Sequence, residues 1–162
     1  MMNENFQRMI RLAEEFFDAK NDSAQISVDR QTMKRLAKIH PATMTERSTS
    51  KGPIVWVLLL PTTLDLMARF ISNKITERRL LRLTPLHGRY DAVYLCSALV
   101  LPEHRDKGLA TRVAVKAVKA IKKDHPIQFL FYWAFSREGK KLASAIARES
   151  NLPLLHKKSR VR

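Results

Sequence analysis

Residues 99–110 read LVLPEHRDKGLA, and this stretch decides the fold, because an apolar run breaks at Pro102 into a short charged turn that opens directly into a helical pattern. Downstream, Ala110, Val113, Ala114, Ala117, Val118 and Ile121 recur at helical spacing as one apolar stripe, while Arg112, Lys116, Lys119, Lys122 and Lys123 fall on the solvent side. Upstream, residues 90–101 are rich in aromatic and branched side chains and read as a strand. Pro102 ends that strand because proline cannot donate to a sheet ladder. The order is strand, turn, helix.

Arg105, Asp106, Lys107, Gly108, Leu109, Ala110 and Thr111 make up the turn and the start of the helix. The N–H groups of a first helical turn have no partner inside the helix and carry the positive end of its dipole, so they suit an anion such as a diphosphate. Gly108 is one of only four glycines in the chain. A residue without a Cβ tolerates left-handed backbone and lets an anion approach closely, and Arg105 and Lys107 add positive charge there.

This stretch resembles the signature of the GCN5-related N-acetyltransferase (GNAT) superfamily, which runs Gln or Arg, two residues, Gly, one residue, then Gly or Ala. Arg105, Gly108 and Ala110 fill those positions, and Val100, Leu101 and Pro102 match the Val-x-Pro that precedes them. The resemblance spans residues 90–150. It implies an α/β fold of the acyl-CoA N-acyltransferase type, a mixed sheet flanked by helices, here with a helical N-terminal half. Residues 90–150 would then form the acetyl-CoA-binding core, and residues 1–89, where the pattern diverges, the acceptor side. The pantetheine arm of acetyl-CoA is expected between two splayed strands, near Leu99, Val100 and Leu101 on one side and residues 129–135 on the other. Its pyrophosphate is expected against residues 105–111, with Ser136 alongside.

The implied reaction is direct attack of a neutral amine on the thioester, the oxyanion being stabilised by a backbone N–H near Val100 or Leu101. Many members protonate the leaving thiolate with a tyrosine on the last helix. Aligning Ser136 with the family's frequent Asn at the start of that helix puts Ala143 in the tyrosine slot, and the only tyrosines are Tyr90, Tyr94 and Tyr132. Tyr94, Tyr132 and Ser136 therefore remain as catalytic candidates beside water, since a thiolate with a solution pKa of about 8.5 leaves with little help. Base candidates are Asp91, Tyr94, Glu103, His104 and His87.

Composition sets outer limits. At 162 residues the chain suits one domain, and a domain of that size buries about 68–70% of its unfolded surface, enough to fold without metal or disulfide. Cys96 is the single cysteine and reads as a small buried residue, as Trp56 and Trp133 read as core. Residues 54–60, IVWVLLL, form the longest apolar run, far short of the roughly 20 residues of a membrane helix. A cytoplasmic protein, monomer or homodimer, is expected. No cluster has metal-ligand spacing, and neither a Gly-x-Ser-x-Gly elbow nor a Walker lysine motif is present.

Thirty Lys and Arg against fifteen Asp and Glu give a net charge of +15. Residues 101–162 hold fifteen basic and five acidic residues, so +10 of that charge lies in the half that carries the signature. Such a field gathers anions: coenzyme A, nucleic acid or an acidic protein surface. It disfavours a polycationic acceptor. Two functions follow, an N-acyltransferase using acetyl-CoA on an amine, or a non-catalytic CoA-binding or basic nucleic-acid-binding module. A nucleic-acid reader should interleave aromatics with its basic patch or join two helices by a tight turn, and neither pattern is present.

Elsewhere, Phe6, Met9, Ile10, Ala13, Phe16 and Phe17 trace a first amphipathic helix. Asp29 is placed to cap a second, carrying Met33, Leu36 and Ala37, and residues 42–52 read as polar loop. Thr62 or Thr63 caps a third helix with Leu64, Met67, Ala68, Ile71 and Ile75 on one face. That helix, between two strands, departs from the family's usual order. Residues 127–135 read as the strand after the cofactor helix, Ser136 as the cap of a last helix, and residues 157–162 as a basic tail.

Overall fold

The computed structural model describes residues 4–17, 29–133 and 136–157, with the side chains of Phe16 and Phe17 outside that description. In chain order these residues form α1 (Glu4–Phe17), α2 (Arg30–Ile39), β1 (Met44–Thr49), β2 (Gly52–Thr62), α3 (Leu64–Ile71), α4 (Glu77–Leu83), β3 (Ala92–Val100), α5 (Leu109–Asp124), β4 (Phe129–Tyr132), α6 (Arg137–Ser150) and β5 (Leu154–His156). Helix starts follow side-chain capping. Asp29, Thr63 and Ser136 each accept from a backbone N–H in the first turn of α2, α3 and α6, satisfying donors that a helix leaves unpaired.

The strands form one sheet in the order β1-β2-β3-β4-β5. The first three are antiparallel and the last two pairings are parallel. A parallel pair needs a crossover, which α5 supplies between β3 and β4 and α6 between β4 and β5. This is the mixed sheet flanked by helices that the resemblance implies. The apolar stripe of α5 is buried at Ala114, Ala117, Val118 and Ile121. It joins a continuous core with Val55, Leu59, Leu60, Val93 and Leu130.

Several expectations are corrected. The span expected as loop forms β1 and a tight hairpin into β2, with Thr49 opposite Gly52. The stripe carried through Ile75 is two elements: α3 stops at Ile71, Asn73 takes a left-handed φ of 64°, and α4 starts afresh behind Thr76, whose side chain accepts from the Arg79 N–H. Ile75 is buried nonetheless, entering the core from the intervening loop. In α2, Leu36 and Ile39 are buried, whereas Met33 and Ala37 are exposed. β5 is an additional short edge strand. Residues 134–135 of the expected strand and 158–162 of the expected tail lie outside the described residues.

The α3–α4 pair lies between two strands that pair directly, since β2 and β3 run side by side along Val55↔Val100 to Thr62↔Ala92. Arg35 of α2 ties the pair down by donating to the carbonyls of Leu81, Arg82 and Thr84 at 3.0, 2.7 and 2.8 Å. These are carbonyls at the end of α4, where a helix wants a cation. Among the described residues no helix is long and apolar enough to cross a membrane, and no three His, Cys, Asp or Glu side chains converge as a metal site.

Candidate functional site

The site begins with a fault in the sheet. Opposite β2, Ser97 faces Leu58 and Leu95 faces Leu59, so Cys96 is an extra residue and β3 bulges there. On its other edge β3 pairs with β4 only from Ala92↔Phe129 to Leu95↔Tyr132. The strand then runs on through Ala98 to Val100 past the last of those pairs. The bulge increases local twist at the point where the two strands part.

Backbone donors along this edge follow from the antiparallel alternation. The Leu101 N–H donates to the Ile54 carbonyl at 3.0 Å, so residues 99 and 101 face β2 while 98 and 100 turn their N–H groups the other way. The Val100 carbonyl on that edge accepts from Arg105 Nε at 3.0 Å, as this orientation requires. Of the two N–H groups expected near the oxyanion, Leu101's is thus consumed inside the sheet. Val100 and Ala98 carry the outward donors.

A cleft of about 650 Å³ occupies the gap. Leu99, Val100, Arg105, Asp106, Gly108, Leu109, Ala110 and Thr111 line it from the β3 edge and the start of α5, and Tyr132 and Ser136 line it from across. Leu101 is buried and Lys107 is exposed, and neither is part of that lining. Gly108 is the N-cap of α5 at φ 72°, ψ 15°, without a side-chain cap bond. A Cβ built on it would meet nothing within 4 Å. Leu109, Ala110 and Thr111 of the first turn of α5 line the cleft, and the N–H groups of a first turn have no partner inside the helix, so this position suits a phosphate.

The catalytic candidates separate by position. Tyr94 is excluded from the cleft lining: its hydroxyl donates to the buried Glu77 carboxylate on the far side. Burial and then the Glu77 charge push its pKa well up, so it neither reaches nor serves the gap. Tyr132 and Ser136 do face the cleft, and so does Ala143, which leaves that wall of α6 without a hydroxyl. Among the proposed bases His104 lines the cleft. Glu103 instead forms a two-pronged pair with Arg8, both contacts 2.7 Å, which with backbone bonding lowers its pKa to about 2. His87 is exposed, and Asp91 sits at the opposite end of β3 with its backbone bonded to Thr62 and Gln128. Cys96 lines the cleft, but burial, then the Glu77 charge, push its thiol well up, away from the thiolate that a nucleophile needs.

No family model and no curated protein matches this sequence. The crystal structure of Chaetomium thermophilum Naa20 in complex with a bisubstrate analogue is similar over 64% of this chain and 48% of that one, at 12% identity and a TM-score of 0.39. The chain thus spans about half the length of that protein. A likeness this low carries no functional weight, and the chemistry rests on the cleft itself.

Further residues complete the lining. Leu12 comes from α1, Val57 and Leu59 from β2, Leu95, Ser97 and Ala98 from β3, and Glu138, Gly139, Leu142 and Ile146 from α6, while Trp133, expected as core, is half-buried and lines the cleft from the end of β4. None carries a local motif. Only the bulge, legible as the small pair Cys96-Ser97 interrupting an apolar strand, had a sequence signal.

Proposed function

We propose that the protein is an N-acyltransferase that moves an acetyl group from acetyl-CoA to an amine by direct attack within a ternary complex. One observation carries the reading: an extended cleft between parting strands ends at a left-handed glycine and the open first turn of a helix. Such a shape suits a ligand with an extended amide-rich arm and a diphosphate. Residues 105, 106 and 108–111 would hold the diphosphate through backbone N–H groups and Arg105, with Lys107 adding charge from outside. Leu99, Val100 and the outward edge of β3 would bond the arm as an added strand, with Ser136 opposite and Leu101 fixing the strand behind. The whole of residues 1–162 acts as one domain, with residues 90–150 serving acetyl-CoA and residues 1–89 shaping the acceptor side. A cytoplasmic setting fits this use of acetyl-CoA.

In the transfer, the amine nitrogen bonds to the acetyl carbon, the carbon–sulfur bond breaks, and the proton lost by nitrogen ends on the sulfur. The outward N–H of Val100 or Ala98 would meet the developing oxyanion, where a preorganised donor contributes most. Tyr132 and Ser136 are the side-chain candidates for the proton, by way of water. His104 is the candidate base.

A second reading, CoA binding without transfer, is favoured by one observation, Ala143 in the wall where relatives of the resembling family carry a tyrosine. Calorimetric titration of acetyl-CoA, in moderate salt to suppress nonspecific attraction, tests both. Micromolar binding lost in Gly108→Glu supports the site. Absence of binding to the unaltered protein overturns it and leaves nucleic acid as the partner to examine. Binding without acetylation of any amine in a broad screen supports the second reading.

A further inference from the structure

The turn after β3 folds back on itself, the His104 N–H donating to the Leu101 carbonyl at 2.9 Å and the Arg105 N–H to the Pro102 carbonyl at 3.3 Å. This return brings the Arg105 side chain over the end of β3, where Nε donates to the Val100 carbonyl at 3.0 Å. Both residues line the cleft. The Glu103 carboxylate, two residues away, is taken by Arg8, and among the described residues no carboxylate pairs with Arg105. The Val100 carbonyl lies on the edge of β3 beyond its last pairing with β4, Leu95↔Tyr132. A strand added along that edge would donate an N–H to this carbonyl at about 2.9–3.0 Å, and Arg105 Nε already stands at that distance. The guanidinium thus occupies the edge that an extended amide-bearing arm would use.

Resting on the acyltransferase reading, we propose that Arg105 is a specificity-determining residue that restricts the donor to thioesters carrying a diphosphate, because it covers the Val100 carbonyl until a diphosphate draws it away. A guanidinium holds a phosphate best through a side-on fork of two parallel N–H bonds. One edge of that fork is Nε with the neighbouring Nη, and the single hydrogen on Nε cannot serve both the fork and the carbonyl. Arg105 is exposed, so its side chain can swing from one acceptor to the other without repacking the core. A pantetheine arm that arrives without phosphates must compete with a tethered cation for the Val100 carbonyl. A complete donor brings the anion that removes this competitor, and an amide N–H of its arm then takes the vacated carbonyl. Diphosphate capture and arm docking are thereby coupled through one side chain.

The test compares two donors on the full chain, acetyl-dephospho-CoA, which carries the diphosphate, and acetyl-pantetheine, which carries no phosphate and no charge. Because acetyl-pantetheine is neutral, the +15 field of the protein and the loss of one unit of it leave its affinity untouched, so any change reports the β3 edge. Binding of acetyl-pantetheine is followed by the ligand's NMR signals and that of acetyl-dephospho-CoA by calorimetry. Arg105→Met, which keeps most of the apolar stem, should weaken acetyl-dephospho-CoA by about tenfold and tighten acetyl-pantetheine by about threefold. Arg105→Ala should change both affinities in the same directions, and Lys119→Met, an equal loss of charge on the exposed face of α5, should leave acetyl-pantetheine unchanged. Acetyl-pantetheine binding that is equal with and without Arg105, weaker without it, or undetectable in both chains overturns the proposal. Where acetyl-CoA still binds the unaltered protein, such a result removes the role of Arg105 alone. Absence of acetyl-CoA binding to the unaltered protein overturns the acyltransferase reading and the role of Arg105 with it.

Discussion

Gly108 holds φ at 72° while the position of its missing Cβ is open for 4 Å around. Any penalty for a side chain there comes from the backbone and not from a clash. Left-handed backbone costs an L-residue about 1–2 kcal/mol, so Gly108→Ala should lower Tm by about 2–8 °C in a domain of this size. Gly108→Asn, a residue that tolerates this region, should lose less; thermal unfolding of both variants checks the order. Glu103 gives a residue-scale prediction with a defined pH window. Its carboxylate is lowered from 4.5 to about 2 chiefly by the hydrogen bond to Arg8. A pKa depressed in the folded state contributes stability above the unfolded value, and that contribution fades as pH falls through the folded one. Tm should therefore drop between about pH 4.5 and pH 2, and Glu103→Gln should flatten that part of the profile while lowering Tm slightly at neutral pH. An unchanged acid profile in Glu103→Gln would show that other carboxylates dominate it.

At the scale of elements, the Tyr94 hydroxyl bridges β3 to the buried Glu77 at the start of α4. Tyr94→Phe withdraws a donor from a buried carboxylate, which costs about 1–3 kcal/mol. Because Tyr94 stands outside the cleft lining, the same change should leave acetyl-CoA affinity within twofold of the parent. Urea unfolding and calorimetry on one preparation separate the two effects, and a large loss of affinity would place Tyr94 in the binding machinery after all. The elements differ in how legible they were. The β3 turn and α5 could be read from sequence because strand end, glycine and apolar stripe are local signals that agree. β1 could not, since Glu46, Arg47, Ser48 and Thr49 are exposed on an edge strand and lack an alternating apolar face. α4 is seven residues long and is separated from Ile71 by only five residues, too short a run to show a helical period of its own. Leu12, Val57 and Trp133 reach the cleft from separate parts of the chain, and tertiary approach of that kind leaves no sequence pattern.

At the scale of the whole molecule, the +15 charge acts on encounter more than on the bound state. A long-range field raises the local concentration of a polyanion and its association rate, and salt screens it over a Debye length of about 8 Å at physiological ionic strength. The contacts proposed for the diphosphate are short backbone donors at the start of α5, and these are far less sensitive to screening. Raising salt from about 50 to 500 mM should therefore slow acetyl-CoA association by roughly tenfold and change its dissociation rate much less, as stopped-flow mixing would show. Nonspecific adsorption to the lysine face of α5 predicts something else: dissociation that accelerates with salt, and a rate pattern unaltered by Gly108→Glu. The same pair of rates thus distinguishes a basic surface that steers its ligand into a cleft from a basic surface that is itself the binding site.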